Sequence, residues 1–183
     1  MTLAPLRLAI VSSVAMALCL VYSADSRAAE TFNKPIYNPE TKSYFELRIQ
    51  DDMEWQGARR AAESHIYKGV RGRLAIVSTP EVHSFLQHNF EIKEEAWIGL
   101  RYWCTFRKLQ WVTGKVMKPE DFGAWHPTWH RPDGIAPCEA AATKTTGYMS
   151  VYYQPSSAGF KWQAVGSAKK FKRYFVEYPT GAP

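Results

Sequence analysis

The sequence lacks the short motifs that announce a common chemistry. It contains no Gly-x-Ser-x-Gly nucleophile elbow and no His-Glu-x-x-His pair. A Gly-x-x-x-x-Gly-Lys phosphate loop and a Gly-x-Gly-x-x-Gly dinucleotide fingerprint are also missing. Glu94 and Glu95 are adjacent, but neighbours on a strand entry point opposite ways, so both are expected to be solvated rather than paired for acid–base work. An enzyme is therefore not expected. No dense Lys/Arg tract is present either. The nearest approach is Lys169-Lys170 with Lys172-Arg173, which reads as a solvated turn before a last strand. Nucleic acid is accordingly not an expected partner.

Long apolar runs are also scarce. The one candidate, Leu8 to Tyr22, is short for a membrane span, which needs roughly 20 residues. It follows a positively charged start, Met1 to Arg7, and precedes Ser26-Arg27-Ala28, which places small residues at −3 and −1 of a cleavage point. This pattern predicts a secretory signal peptide over residues 1–28, a secreted or periplasmic protein, and no stable membrane span in the mature chain. Cys19 sits in that run behind Leu18, which is too bulky for a lipoprotein processing site. Losing Arg7, Arg27 and Asp25 takes the formal net charge from +6 to +5, a mildly basic balance that favours anionic surfaces or glycans.

Cysteine is equally sparse. Beyond Cys19, only Cys104 and Cys138 occur, so an exported chain has one internal bridge available. Closing that span stabilises by roughly 3–4 kcal/mol in the chain-entropy model. Two free thiols are the alternative, but no neighbouring residue activates a thiol in a known pattern. Internal repeats and low-complexity segments are absent.

What is present is a globular composition, 46% hydrophobic and 14% aromatic in 183 residues. A domain of ~150 residues buries roughly 68–70% of its unfolded surface, enough for a core without a metal. Residues 29–42, with Pro35 and Pro39, read as an extended lead-in. Alternation predicts a strand over Ser43 to Ile49. Met53 to Tyr67 predicts a helix with Trp55, Ala58, Ala61, Ala62, His65 and Ile66 on one face. Ser78-Thr79-Pro80-Glu81 reads as a second helix start with Ser78 as cap, followed by a buried stripe of Val82, Phe85, Leu86 and Phe90. His83 and His88 read as surface or edge histidines. Strands are expected at Ala96 to Leu100, Leu109 to Val112, Tyr148 to Tyr153, Phe160 to Val165 and Arg173 to Tyr178. Between Gly114 and Gly147 lies a long aperiodic stretch rich in Pro, Trp, His and Gly, the kind of loop that carries function. The sum is an α+β domain over residues 43–179 with a short tail at 180–183. Its first and last strands, Tyr44 to Leu47 and Phe175 to Tyr178, are placed to pair.

In order, the chain carries Gly72-Arg73-Leu74-Ala75-Ile76-Val77-Ser78, Trp97-Ile98-Gly99-Leu100, Leu109-Gln110-Trp111-Val112-Thr113-Gly114, Phe122 with Trp125, Arg131-Pro132-Asp133, and Tyr174 to Tyr178. This series resembles the C-type lectin-like domain over nearly the whole mature chain. The resemblance implies two helices flanking small antiparallel sheets, paired terminal strands, one long ligand-bearing loop, and Trp97-Ile98-Gly99-Leu100 as a central core strand. Gly99 there admits close backbone approach. Members that bind sugar through calcium use a Glu-Pro-Asn or Gln-Pro-Asp triplet in the loop and a Trp-Asn-Asp triplet on a later strand. Here the matching triplets are Arg131-Pro132-Asp133 and Trp162-Gln163-Ala164. Arg131 puts a cation, and Ala164 a methyl group, where a hard ion needs oxygen. No cofactor is expected, calcium included. Cys104 and Cys138 do not occupy the family's usual bridge positions; joined, they would pin the loop to the sheet edge.

The candidate ligand-binding residues are Trp129, Arg131, Asp133, His130, His126, Glu139 and Gln163. A Trp face suits the C–H face of a sugar, and Arg, His, Asp and Glu supply hydrogen bonds to hydroxyls or to the acid group of an acidic glycan. Trp125 reads instead as part of the loop's own core. His126 and His130 are four apart, but Pro127 opposes a helix through them, so a zinc site with Asp133 is not expected. The expected partner is a glycan, an acidic one included. The alternative is a protein ligand, for which Trp103, Tyr148, Tyr152 and Tyr153 would supply an outward apolar patch.

Overall fold

In a computed structural model that describes residues 34–127, Cys138 and residues 147–183, the two ends of the described chain meet in one sheet. Strand β1 (Ile36–Asn38) folds back antiparallel on β2 (Ser43–Met53), so part of the expected lead-in is sheet. β2 pairs antiparallel with the last strand, β10 (Phe171–Tyr178), from Tyr44 opposite Tyr178 to Met53 opposite Phe171. β10 then lies beside β6 (Ala96–Trp103), which pairs with β7 (Lys108–Trp111) and β8 (Tyr148–Ser156), and β8 pairs with β9 (Gly159–Gly166). The path is β1-β2-β10-β6-β8-β9, with β5 (Arg73–Leu74) added to β10. Among the strands of the described residues, every pairing is antiparallel except β10 with β6, so the main sheet is mixed.

Helix α1 (Trp55–Ser64) covers one face of the sheet with Trp55, Ala58 and Ala62, packed near Trp97 and Tyr174. Helix α2 (Pro80–Asn89) buries Val82 and Leu86 in the other core, beside Phe45, Phe160 and Phe175. α1 stops sooner than its apolar pattern predicts: His65 is extended, and Ile66 is 68% exposed. The reason is local. Lys68 and Gly69 both take left-handed backbone (φ 48° and 76°), the turn that closes a tight hairpin between β3 (Ile66–Tyr67) and β4 (Val70–Arg71).

α2 is capped by Thr79, not Ser78. Thr79 Oγ1 accepts from the Val82 N–H at 3.3 Å, and Pro80, which has no N–H to satisfy, takes the first helical position. His83 is not a surface histidine. It is buried, its Nδ1 is 2.8 Å from the Tyr153 hydroxyl, and the Gln87 amide meets its Nε2. With Gln87 donating to Nε2, the proton sits on Nδ1, and a second proton would face a donor. Burial first, and the Lys161 charge second, hold His83 down at about 4. A histidine depressed in the folded state stabilises fully above its unfolded value near 6.5 and loses that contribution as pH falls towards 4. By linkage this is about 3 kcal/mol. The unfolding free energy of the wild type, measured against that of His83→Gln, should drop by that amount between neutral pH and pH 4. A pH-independent difference would show that His83 carries no such burden.

Candidate functional site

The long loop leaves β7 and builds a small core before it reaches the candidate residues. Met117 and Ala124 are buried, and the Trp162 ring, fully buried on β9, takes Trp111, Phe122 and Trp125 edge-on at 5.9, 5.8 and 5.4 Å. The backbone locks the same place. Trp162 N–H donates to the Ala124 carbonyl at 2.7 Å and His126 N–H donates to the Trp162 carbonyl at 2.9 Å. Residues 124–126 thus add a short parallel segment to β9, with Trp125 opposite Trp162. Trp125 is loop core, as the resemblance implies.

Of the seven candidate ligand residues, His126 and Gln163 are described. Each follows a Trp of the Trp125–Trp162 pair by one residue. Side chains alternate in extended backbone, so both leave the ladder on the face opposite the indoles. Gln163 Oε1 accepts from the Tyr152 hydroxyl at 3.1 Å. Ala164 is buried and brings no oxygen. Trp129, His130, Arg131, Asp133 and Glu139 lie outside the described residues.

The far side of the loop is tied down by two contacts. Cys104, just past the end of β6, is joined to Cys138 by a disulfide across 34 residues of sequence. The Cys104 N–H donates to the Gly147 carbonyl at 2.9 Å, one residue before β8 begins. The loop is therefore held at the β9 edge, at the end of β6 and at the start of β8.

The apolar patch expected from Tyr148, Tyr152 and Tyr153 does not form, because all three are buried. Consecutive Tyr152 and Tyr153 point to opposite faces, and each face has a core to receive its ring. Trp103 is half-buried. A feature not legible in the sequence lies behind it. The Arg101 guanidinium sits 4.7 Å from the ring centres of Trp55 and Trp103 and 5.1 Å from that of Tyr148. Desolvation there lowers its pKa from the ordinary arginine value. The signal, an Arg two residues before a Trp on one strand face, needs the position of Trp55 to be read.

Two helices, paired terminal strands and one long anchored loop define a C-type lectin-like fold. The model of the lectin C-type domain family matches residues 51–148, just over half of the sequence, and the chain belongs to that family. Among solved structures it is similar to human lithostathine, at 19% identity and TM-score 0.57 over 80% of this chain and 87% of that one. It is also similar to the C-type lectin domain of murine dendritic cell inhibitory receptor 2 in complex with N-glycan, at 13% identity and TM-score 0.55 over 77% and 94%. The cow carbohydrate-recognition domain of CD23, in the presence of a GlcNAc2Man3 oligosaccharide, follows at 21% identity and TM-score 0.51 over 74% and 87%. At these identities the likeness is one of fold. No curated protein matches the sequence.

Proposed function

We propose that this chain is an exported, non-catalytic module that recognises carbohydrate through its long loop without a calcium ion. The observation that carries the calcium-independent part is the state of the late-strand triplet. Gln163 Oε1 already accepts from Tyr152, and Ala164 has no donor atom, where calcium needs several converging oxygens. Arg131 adds a positive charge to the loop triplet, which repels a cation and suits the acid group of an acidic glycan. Carbohydrate is favoured over a protein ligand because the tyrosines that would have made a broad apolar patch are buried. Export agrees with the Cys104–Cys138 bridge, since disulfides persist in oxidising compartments. The sugar platform in this reading is Trp129, with Arg131, His130, Asp133, Glu139 and His126 around it.

Trp129→Ala and Arg131→Ala should each weaken glycan binding by about tenfold, the size of one lost stacking or charge-assisted contact. Thermal unfolding should be unchanged, and titration against the best glycan ligand checks both points. Binding that survives both substitutions would move the site off the loop.

A further inference from the structure

Three large hydrophobic side chains are strongly exposed among the described residues, and two of them share one groove. Phe106, 67% exposed, and Val116, 43% exposed, line a groove of about 370 Å³ with Trp103, Lys108 and Gln110. The groove lies on the β6–β7 hairpin and shares no lining residue with the ladder that carries His126 and Gln163. Exposed apolar side chains gathered in one groove with polar neighbours are a common mark of a ligand or partner site.

The groove is built, not incidental. Trp103 Nε1 donates to Gln110 Oε1 at 2.8 Å, and Gln110 Nε2 donates to the Gly114 carbonyl at 2.9 Å. Arg101 backs the Trp103 ring from within the sheet. The indole is therefore held as a rigid plate. The charges next to its lining residues in sequence are positive: Arg107 and Lys108 follow Phe106, and Lys115 precedes Val116. Lys118 pairs with Glu120, but no described carboxylate pairs with the exposed Arg107, Lys108 or Lys115.

We infer that this groove binds an acidic polysaccharide, its sugar faces on Trp103 and Phe106 and its carboxylate or sulfate groups on Lys108 and Lys115. Flat aromatic plates take the C–H faces of sugar rings, and ammonium groups beside them take oxyanions. An acidic polypeptide would meet the same cations, but its flexible side chains would lose rotamer freedom against the pinned indole, a cost that a rigid sugar ring does not carry.

The test is binding of polygalacturonate oligosaccharides to the oxidised full chain, with neutral dextran and poly-glutamate as comparison probes. Polygalacturonate should bind, weaken as salt rises, and outbind both other probes. The double variant Lys108→Glu/Lys115→Glu should lose about tenfold or more, and Phe106→Ala several-fold, with thermal unfolding unchanged because all three side chains are exposed. Retained binding in Trp129→Ala would separate this surface from the long-loop candidate. Absence of polygalacturonate binding, or binding unaffected by the groove variants, overturns the inference. Equal or tighter binding of poly-glutamate overturns it in favour of an acidic polypeptide. Binding lost in Trp129→Ala but kept in the groove variants overturns it in favour of the loop.

Discussion

Gly99→Ala is expected to destabilise the domain by about 2–3 kcal/mol, the range for overpacking a filled core. A Cβ at this position would meet the Leu74 carbonyl oxygen at 2.7 Å, the Ala75 carbonyl oxygen at 3.0 Å and Val112 Cγ2 at 3.1 Å. Two of the three are backbone atoms, which do not swing aside. Nor can Gly99 retreat. Its N–H donates to the Ala75 carbonyl at 2.9 Å and its carbonyl accepts from the Val112 N–H at 2.8 Å, where the β6–β8 register is interrupted. One residue therefore ties the segment after β5 to the end of β7. Urea unfolding should show a lower midpoint with an unchanged slope. A loss below about 0.5 kcal/mol would show that these segments yield freely.

Glu177→Ala should cost more, about 3–4 kcal/mol, because it breaks a buried charge network. The Glu177 carboxylate is 4% exposed on its side chain. Its Oε1 accepts from Arg73 Nη2 at 2.8 Å and Ser43 Oγ at 3.1 Å. Its Oε2 accepts from the Ile76 N–H at 3.0 Å and Arg73 Nε at 3.2 Å. One carboxylate thus joins the start of β2, β5 and β10, where the two ends of the described chain meet. Arg73 keeps some solvent, with its side chain 31% exposed, which holds the cost below the top of the range for a broken buried pair. Glu177→Gln keeps the volume but turns an N–H₂ group towards donors, so most of the loss should remain. A Gln variant as stable as wild type would mean that shape, not charge, is what the site needs.

The fold was legible where a pattern is local and repeated. Apolar content marked β2 and β10 as strands, but the alternation expected for Ser43 to Ile49 is absent: Ser43 to Leu47 and Tyr174 to Tyr178 are buried continuously, because each face of the sheet has a core. Gly99 within an apolar strand marked a close backbone approach that the Leu74 and Ala75 carbonyls supply. Partners distant in sequence were not legible. Nothing around His83 announces Tyr153, which is 70 residues away, so a buried histidine read as an exposed one. Ser78 and Thr79 can both cap and Pro80 fits the first turn after either; the cap falls to Thr79, whose hydroxyl accepts from the Val82 N–H. The tyrosines of β8 look outward to a reader who assumes one solvated face, whereas each face of this sheet has its own core. At the site, Trp125 as loop core followed from the resemblance to C-type lectin-like domains, and the Cys104–Cys138 bridge from the cysteine count. The involvement of Gln163 with Tyr152 required the β8–β9 register. The Arg101 cage required α1 to be laid over β6.

Sugar recognition without calcium is tested most directly by a glycan array on the oxidised protein, run in calcium and again after EDTA. The same glycans should bind with the same strength in both. Binding that appears in calcium and vanishes in EDTA would contradict it, and would mean that Arg131, Gln163 and Ala164 do not exclude the ion.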